Sequence, residues 1–208
     1  MRLDEFLKKK RYFSSRTRAK RAILKGKVIV DGEVITKPSF RVRGGEKIEV
    51  LIDDRPEGYF KLKAIDEEVS LLKGAKRALD IGFGAGGFSI YCLENGLEVI
   101  AIDLEETELA SELSRRAEFT FIKGDAFLMD LEYIVDLLLI DVTTEQKGTL
   151  SLLNKYSKCL TSNGRILSVF KRPPIENEIK DEISRKYHTI KWITPEEKDE
   201  VYWIGKLR

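Results

Sequence analysis

The architecture of this 208-residue chain is set by one segment, Arg77-Ala78-Leu79-Asp80-Ile81-Gly82-Phe83-Gly84-Ala85-Gly86-Gly87-Phe88. Its apolar start, residues 78–81, predicts a buried parallel strand, and an apolar helix pattern covers residues 88–93. The glycines between them let the backbone approach a ligand closely, and the start of the helix offers unpaired N–H groups. A strand, a glycine-rich turn and a helix in this order build a cofactor site in an open α/β sheet.

An alternation of strands and helices continues beyond this turn. Strands are predicted at 99–102, 119–122, 135–140 and 166–170, and helices at 106–116, 150–160 and 175–187. Asn163-Gly164 predicts a turn. The last two strands, 189–193 and 201–207, have a short connection that suits an antiparallel pair. We therefore expect an α/β, Rossmann-like fold with a seven-stranded, mostly parallel sheet.

Charged residues occupy corresponding places in this pattern. They lie within or at the end of predicted strands: Asp80, Asp103, Asp125, Asp141 and Lys171. Ligands of open α/β sheets bind at the carboxyl ends of the strands. These side chains are therefore candidates for one shared ligand site.

Charge is distributed unevenly along the chain. The net charge is +2, but residues 1–50 carry +9 and the remainder carries −7. A basic first quarter on an acidic body favours a segment that binds a polyanion, with solvated helix faces as the alternative.

The sequence excludes several kinds of site. Cys92 and Cys159 lie in apolar contexts and are interpreted as buried thiols, and His188 is the only histidine, so we expect neither a disulfide framework nor a metal site. No apolar run reaches transmembrane length, and no signal-peptide pattern occurs at the N-terminus. We expect a soluble, cytoplasmic protein without a membrane partner, whose oligomeric state the sequence leaves open.

The basic first segment combines two helices with a small sheet. A helix is predicted at residues 2–11, and Ser14 or Ser15 is placed to cap a second helix that ends at Gly26. Strands at 28–30 and 34–35 flank the tight turn Asp31-Gly32, and a strand at 48–50 follows. This pattern resembles the small α+β, αL RNA-binding module named after ribosomal protein S-four. The resemblance is carried by Arg2-Leu3-Asp4, Ser15-Arg16, residues 26–32, Lys37-Pro38-Ser39 and Gly45.

The resemblance implies an RNA-binding domain at residues 1–52, followed by a linker at 53–58 and a second domain at 59–208. It also implies which basic residues contact structured RNA: Arg16, Arg18, Lys20, Arg21, Lys25 and Lys27. A-form RNA is recognised largely through its shape and its phosphates, which suits a basic helix face. Arg2 is interpreted as a structural ion-pair partner.

The glycine-rich turn is compatible with two cofactors. Gly82, Gly84 and Gly87 satisfy G-x-G-x-x-G, and Asp103 lies where NAD enzymes have a ribose-binding acid, so an NAD-dependent oxidoreductase is an alternative. However, Asp80 suits the cationic S-adenosyl-L-methionine and would repel a pyrophosphate. Asp80 with the glycines resembles motif I of the methyltransferases, and residues 124–127 resemble their adenine-contacting motif. The resemblance implies that the cofactor contacts Asp80, Gly82, Phe83, Gly84, Gly86, Gly87, Phe88, Asp103, Asp125, Ala126 and Asp141.

A lysine, an aspartate, a second lysine and a glutamate follow one another along the second domain: Lys61, Asp141, Lys171 and Glu200. This order resembles the FtsJ-like ribose 2′-O-methyltransferases, a group of the class I methyltransferases. Together with the αL module it resembles the TlyA (hemolysin A) family of ribosomal RNA methyltransferases over essentially the whole chain. The resemblance implies that these residues form a catalytic tetrad. It also implies an RNA substrate, with ribosomal RNA or a ribosomal subunit favoured and transfer RNA as the alternative.

The chemistry accounts for these residue types. A ribose hydroxyl is a poor nucleophile, so the enzyme aligns it with the sulfonium methyl and removes its proton. We hypothesise that Lys171 is the general base and acts as a neutral amine, because burial and the ammonium of Lys61 lower its pKa. Asp141 and Glu200 orient the lysines and the hydroxyl, although Asp141 opposes that change in pKa.

The chain departs from the TlyA pattern at several positions. Arg55-Pro56-Glu57-Gly58 replaces a Ser-Arg-Gly-Gly segment, so Lys63 is an alternative to Lys61. Lys171 is followed by Arg172-Pro173-Pro174, where the family has a Pro-aromatic segment. An RNA-binding protein with a non-catalytic methyltransferase fold is a further alternative.

Overall fold

The computed structural model describes residues 1–13, 15–51, 55–196 and 198–208. The chain divides into two compact units, Met1–Arg55 and Pro56–Arg208, each with its own apolar core. Ser14, one of the two predicted helix caps, and positions 53 and 54 of the predicted linker lie outside the described residues.

The first unit contains two helices and a three-stranded antiparallel sheet. Its elements are α1 (Leu3–Lys9), α2 (Arg16–Leu24), β1 (Val28–Val30), β2 (Glu33–Val34) and β3 (Ile48–Val50), with the strand order β2-β1-β3. The Ser15 side chain caps α2 by accepting a hydrogen bond from the backbone N–H of Arg18 at 3.2 Å. Asp31 and Gly32 have φ angles of 50° and 86°, which the tight turn between β1 and β2 requires. The predicted α+β module is confirmed.

The second unit is a seven-stranded sheet flanked by helices. Its elements are α3 (Glu57–Val69), β4 (Arg77–Ile81), α4 (Gly87–Glu94), β5 (Glu98–Asp103), α5 (Glu108–Leu113), β6 (Phe119–Lys123), β7 (Val135–Ile140), α6 (Gln146–Tyr156), a 3₁₀ turn (Ser157–Cys159), β8 (Leu160–Lys171), α7 (Asn177–Lys186), β9 (Tyr187–Ile193) and β10 (Glu200–Leu207). The strand order is β6-β5-β4-β7-β8-β10-β9. Strand β10 runs antiparallel to β8 and β9, and the other neighbours are parallel. This order confirms the predicted fold, including the antiparallel pair at one end.

Apolar side chains cover both faces of this sheet. Along β4, Ala78 belongs to one buried cluster, whereas Leu79 and Ile81 belong to the other, as the alternation of a strand requires. Leu62 of α3 and Cys92 of α4 complete the first cluster, and side chains of α6 and α7 complete the second. Burial on both faces explains why these strands are continuous apolar runs in the sequence.

Two local predictions around β8 are wrong. The helix expected at 150–160 is α6, which begins and ends earlier, and Asn163-Gly164 lies inside β8 instead of forming a turn. Strand β7 pairs with β8 at Val135↔Leu160 and then at Leu137↔Arg165, so the register shifts between these pairs. Between these two pairs β8 has three residues more than β7, so the pairing is irregular there, and Asn163-Gly164 lies in this irregular stretch.

Helix α3 begins inside the predicted linker, because Glu57 and Gly58 are helical. The helix packs closely on α4: a Cβ at Gly87 would lie 2.4 Å from the backbone nitrogen of Tyr59. Only glycine permits this approach. The close packing positions the first turns of α3 beside the glycine-rich turn.

Candidate active site

The carboxyl ends of the parallel strands meet at one edge of the sheet. Asp103 ends β5, Asp141 follows β7, and Lys171 ends β8. Glu200 starts β10, and it pairs with Lys171 at this same edge because β10 is antiparallel to β8. The strand order therefore brings together side chains that are far apart in the sequence.

Lys61, Asp141, Lys171 and Glu200 form one hydrogen-bonded cluster. Nζ of Lys61 lies 2.7 Å from Oδ2 of Asp141 and 2.9 Å from Oε1 of Glu200. Nζ of Lys171 lies 2.6 Å from Oδ1 of Asp141 and 2.8 Å from Oε2 of Glu200. Each lysine thus bridges the same two carboxylates, and each carboxylate oxygen faces one ammonium. Such mutual pairing is what makes the partial burial of these four charged groups tolerable.

The two lysines differ in burial. The side chain of Lys61 is 7% exposed, whereas that of Lys171 is 24% exposed. Nζ of Lys61 also lies 5.8 Å from the ring centroid of Phe88 and 5.3 Å from that of Tyr202, which is a cation–π environment. Lys171 is therefore the more accessible lysine of the cluster, and Lys61 is enclosed.

The carboxylates control protonation in the cluster. Burial raises the pKa of Glu200, but hydrogen bonds from Lys171, Tyr202 and Lys61 outweigh it and hold the pKa at about 2. Burial lowers the pKa of Lys171, but the charges and hydrogen bonds of Asp141 and Glu200 outweigh it and raise the pKa above its ordinary value. The expected lowering of the Lys171 pKa is therefore wrong, because the two carboxylates contact the amine directly.

The alternative lysine, Lys63, lies outside this cluster. Its Nζ is 3.8 Å from Oε1 of Glu67, and its side chain is 48% exposed. Residues two apart on a helix point in different directions. Lys61, and not Lys63, is therefore the lysine of α3 that contacts Asp141.

The glycine-rich turn lies directly against Asp141. Gly82 has a φ of 89°, and a Cβ there would lie 2.4 Å from the carbonyl oxygen of Asp141, so the position requires glycine. A Cβ at Gly84 would meet only the Gly82 carbonyl oxygen, at 3.9 Å, among the residues that the structure describes. The turn thus has open space beside it, next to the cluster that contains Asp141.

Asp80 is a buried acid two residues before Gly82. Its Oδ2 accepts a hydrogen bond from the Ser89 hydroxyl at 2.6 Å, whereas its Oδ1 has no hydrogen-bond partner within the described part of the chain. Burial raises the pKa of Asp80 to about 7, with the Ser89 hydrogen bond opposing the change and the charge of Asp141 adding to it. A cationic ligand would stabilise the ionised form, so this acid fits S-adenosylmethionine better than a pyrophosphate.

Two further acids lie where β5 and β6 end. Asp103 accepts hydrogen bonds from the backbone N–H groups of Gly84 and Leu104, both at 2.7 Å. Asp125 accepts one from the N–H of Phe127 at 2.8 Å. A carboxylate has about four lone-pair sites, so both acids keep capacity to accept from ligand hydroxyl or amino groups.

Other predicted contact residues are engaged within the protein. Phe83 is 3% exposed and its ring lies 5.8 Å from that of Phe119, and Phe88 is 4% exposed. The carbonyl of Ala126 accepts a hydrogen bond from the Tyr156 hydroxyl at 2.8 Å. The two phenylalanine rings therefore support the turn from the apolar core.

A cleft of about 390 Å³ opens at the cluster. It is lined by Glu57, Gly58, Lys61, Asp141, Lys171, Lys198, Asp199 and Glu200. The sequence analysis missed Lys198, whose Nζ lies 2.7 Å from Oε1 of Glu57 and 3.8 Å from Oε1 of Glu200. Its only signal in the sequence is its proximity to Glu200.

Tyr202 and Gln146 were also missed. The Tyr202 hydroxyl donates a hydrogen bond to Oε1 of Glu200 at 2.7 Å, and the two-residue alternation of β10 could have identified it. Gln146 contacts the loop after Lys171. No pattern in the sequence indicates this contact.

In the first unit, most of the predicted RNA-contacting residues lie along α2 and the turn after it. Five of them are exposed: Arg16, Lys20, Arg21, Lys25 and Lys27. Arg18 is partly buried, and its guanidinium donates a hydrogen bond to the Arg55 carbonyl at 3.4 Å. The exposed cations therefore extend from Arg16 to Lys27, with the partly buried Arg18 among them.

Arg16 and Arg2 share a buried acid, Asp4. The Nε atoms of both arginines lie 2.9 Å from Asp4 carboxylate oxygens, and Arg16 also lies 3.0 Å from Glu5. Burial raises the pKa of Asp4, but the hydrogen bonds from Arg2 and Arg16 outweigh it and lower the pKa below its usual range. Arg2 has the structural ion pair that was expected, and Arg16 joins α2 to α1 in addition to its predicted contact with RNA.

Two family models match this chain. That of the FtsJ-like methyltransferase family matches residues 55–208, and that of the S4 domain matches residues 1–48. Hemolysin A of Brachyspira hyodysenteriae is 32% identical over 116 residues, which cover 54% of this chain and 48% of the relative. Ribosomal RNA large subunit methyltransferase E of Wolbachia sp. subsp. Brugia malayi is 23% identical over 175 residues, which cover 73% and 77%. The match thus spans about half the length of the first of these relatives.

Solved structures share the fold. A protein of Streptococcus thermophilus that is named as a hemolysin aligns with a TM-score of 0.64 at 19% identity, covering 100% of this chain and 88% of that one. The 1,6-didemethyltoxoflavin-N1-methyltransferase of Burkholderia thailandensis, solved with S-adenosylhomocysteine, aligns with a TM-score of 0.60 at 18% identity, covering 73% and 78%. Among the described residues, no helix has the length and apolarity that crossing a membrane requires.

Proposed function

Since this chain belongs to the FtsJ-like methyltransferase family, we propose that it transfers a methyl group from S-adenosylmethionine to a ribose 2′-hydroxyl of ribosomal RNA. The observation that carries the proposal is the cluster in which Lys61 and Lys171 bridge Asp141 and Glu200. Partial burial of four charged groups costs desolvation energy, so a buried ion pair by itself is weak evidence for a role in stability. A cleft beside them supports a catalytic role over a non-catalytic fold.

The relatives and the first unit both support ribosomal RNA as the substrate. Three of the relatives are named as ribosomal RNA large subunit methyltransferases. The match to the S4 domain and the exposed basic residues of α2 supply contacts to RNA phosphates. Transfer RNA is the alternative substrate, and methyl transfer to each kind of RNA distinguishes the two. A ribosomal substrate would put the protein's activity in the cytoplasm.

S-adenosylmethionine supplies a methyl group that is already activated by a positively charged sulfur. Asp80 would offset the positive charge of the cofactor, and Asp103 would accept hydrogen bonds from its ribose hydroxyls. Asp125 and Ala126 would contact its adenine, and the open space at Gly84 would let the cofactor approach the turn. Family membership removes the NAD-dependent alternative.

Lys171 is the proposed general base. Its neutral form would accept the ribose proton on Nζ as the oxygen–methyl bond forms and the sulfur–methyl bond of the donor breaks, with the bonding electrons left on sulfur. Because Asp141 and Glu200 raise the pKa of Lys171, this form is a minor one at neutral pH. The two carboxylates would hold the amine in position, and Lys61 would occupy their remaining oxygens.

The test is transfer of a tritiated methyl group to ribosomal and transfer RNA from a strain that lacks the protein. A ribose 2′-O-methyl group removes the hydroxyl that attacks the neighbouring phosphate in alkali, so the modified linkage resists alkaline hydrolysis. We expect label in alkali-resistant dinucleotides of ribosomal RNA. Label on a base would contradict the roles assigned to the cluster and leave the cofactor assignment intact. Label in transfer RNA alone would contradict the ribosomal substrate.

A further inference from the structure

The loop after Lys171 is fastened by one buried side chain, that of Gln146. Gln146 is the first residue of α6 and is 7% exposed. Its Nε2 donates to the carbonyl oxygens of Arg172 at 2.8 Å and Pro174 at 3.0 Å, and lies 3.3 Å from that of Lys171. An amide nitrogen has two hydrogens, so the first two contacts are the strong ones and the third is the weakest.

The orientation of this amide is determined by its partners. Oε1 of Gln146 accepts a hydrogen bond from the backbone N–H of Glu176 at 3.0 Å. Exchanging the amide oxygen and nitrogen would place an oxygen against three carbonyls and an NH₂ group against an N–H. Both ends of the side chain therefore require glutamine at this position, and a carboxylate would be repelled by the carbonyls.

The backbone that Gln146 contacts is in an uncommon conformation. Arg172 has a φ of 59°, in the left-handed region that residues other than glycine rarely adopt. Its N–H donates to the carbonyl of Asp199 at 3.0 Å, while its carbonyl accepts from Gln146. A strained residue persists where its surroundings over-determine it. Here the two anchors come from α6 and from the segment before β10.

We propose that Gln146 is a positioning residue: it holds the turn at residues 171–174 so that the Lys171 amine stays between Asp141 and Glu200. The effect of Gln146 on catalysis rests on the proposed function, whereas its effect on the position of the Lys171 amine does not. Lys171 ends β8, and the chain just beyond it is held by the bond from the Arg172 N–H to the Asp199 carbonyl and by the Gln146 amide. Displacing a catalytic group by about 1 Å costs on the order of 10²-fold in rate. An anchor on this turn therefore affects the reaction without contacting substrate.

Two substitutions at Gln146 distinguish the contribution of its hydrogen bonds from the contribution of its size and shape. Gln146→Met keeps the length and removes every hydrogen bond, and Gln146→Glu places an oxygen against the carbonyls. Thr149→Val is the matched control, because Thr149 is on the same helix, is fully buried, and has a hydroxyl without a partner in the described ranges. Circular dichroism and thermal unfolding establish that each variant folds.

The first measurement determines the pKa of Lys171 by NMR titration of its isotopically labelled Nζ. The protein is measured without RNA or cofactor. The ionisable groups that face it are Asp141 and Glu200, with Lys61 on their other oxygens. In Gln146→Met we expect the pKa to fall toward the ordinary lysine value, because the amine leaves its carboxylates. A role in stability alone would leave this titration unchanged.

The second measurement is methyl transfer to RNA. We expect kcat of Gln146→Met and Gln146→Glu to fall on the order of 10²-fold, with the KM for RNA and the affinity for S-adenosylmethionine unchanged and Thr149→Val equal to wild type. A wild-type-like Lys171 titration in a folded Gln146→Met protein overturns the inference. If wild-type protein methylates no RNA, the proposed function fails, and the titration still decides the role of Gln146.

Discussion

Lys171 and Asp141 are 30 residues apart in the chain, yet Nζ of Lys171 lies 2.6 Å from Oδ1 of Asp141. Their strands, β8 and β7, are parallel neighbours in the sheet, so both residues lie at the same edge. The contact has a chemical consequence, because it stabilises the ammonium form of Lys171 and raises its pKa. The site therefore holds its proposed base in the protonated form at neutral pH.

The rate of methyl transfer should rise with pH. Below the raised pKa of Lys171 the neutral amine is a minor form, and its fraction grows about tenfold per pH unit. We expect kcat to increase between about pH 6.5 and 9, measured by methyl transfer at saturating RNA and cofactor. A rate that is independent of pH across this window, with chemistry rate-limiting, would contradict deprotonation of Lys171 in the reaction.

Substituting Lys171 should abolish activity without abolishing binding. We expect Lys171→Ala to lower kcat by roughly 10²- to 10⁴-fold, the usual range for a lost general base, while calorimetry shows S-adenosylmethionine binding retained. Lys63→Ala is the control, because Lys63 is an exposed lysine paired only with Glu67 among the described residues. Equal activity of the two variants would remove Lys171 from the mechanism.

Asp80→Asn should stabilise the protein. The pKa of Asp80 is about 7 in the folded protein and about 3.9 in an unfolded chain. Between these values the folded state binds the proton and the unfolded state does not, so the free energy of unfolding falls as pH rises from about 4 to 7 and stays low above it. Asparagine carries no such cost. We expect Asp80→Asn to raise the free energy of unfolding at pH 8 by on the order of 2 kcal/mol, and by less at pH 5.

Asp80→Asn should also weaken binding of the cofactor. Losing one charge-assisted contact costs roughly 1.5–3 kcal/mol, or about 10- to 100-fold in affinity for S-adenosylmethionine by calorimetry. Asp103→Asn is the comparison. Because Asp103 is partly exposed, its substitution should lower the affinity for the cofactor without stabilising the fold. Unchanged cofactor affinity in Asp80→Asn would separate Asp80 from the cofactor site.

The exposed cations of α2 should set RNA affinity. We expect Lys20→Glu combined with Arg21→Glu to lower affinity for ribosomal RNA and to reduce the slope of log affinity against log salt by about 1–2, since each lost phosphate contact removes slightly less than one unit. Cofactor affinity should not change. Lys47→Glu reverses the charge of another exposed lysine of the same unit, one that pairs with Glu49 on β3, and should leave the slope unchanged. The same slope for both proteins would exclude α2 as the RNA contact.

The succession of strands and helices along the chain and the glycine-rich turn were predictable from the sequence. Apolar runs, turn residues and the short connection before β10 are local signals, and they identified the seven-stranded sheet with its antiparallel end. The acids at the strand ends also followed from this reading, because parallel strands present their carboxyl ends at one edge. The local signal failed at Asn163-Gly164, where the expected turn is instead an irregular part of β8 in its pairing with β7.

Tertiary structure decided which lysine of α3 faces Asp141, and whether Lys171 gains or loses proton affinity. Lys61 and Lys63 are both lysines of one amphipathic helix, and only the packing of α3 on α4 distinguishes them. The pKa of Lys171 depends on the balance between burial and two carboxylates that arrive from other strands. No sequence motif identified Gln146 or Lys198, because their contacts are also made with residues from other elements of the fold. Sequence patterns report what neighbouring residues along the chain require, whereas proton affinity and side-chain anchoring depend on atoms that only the folded sheet brings within a few ångströms.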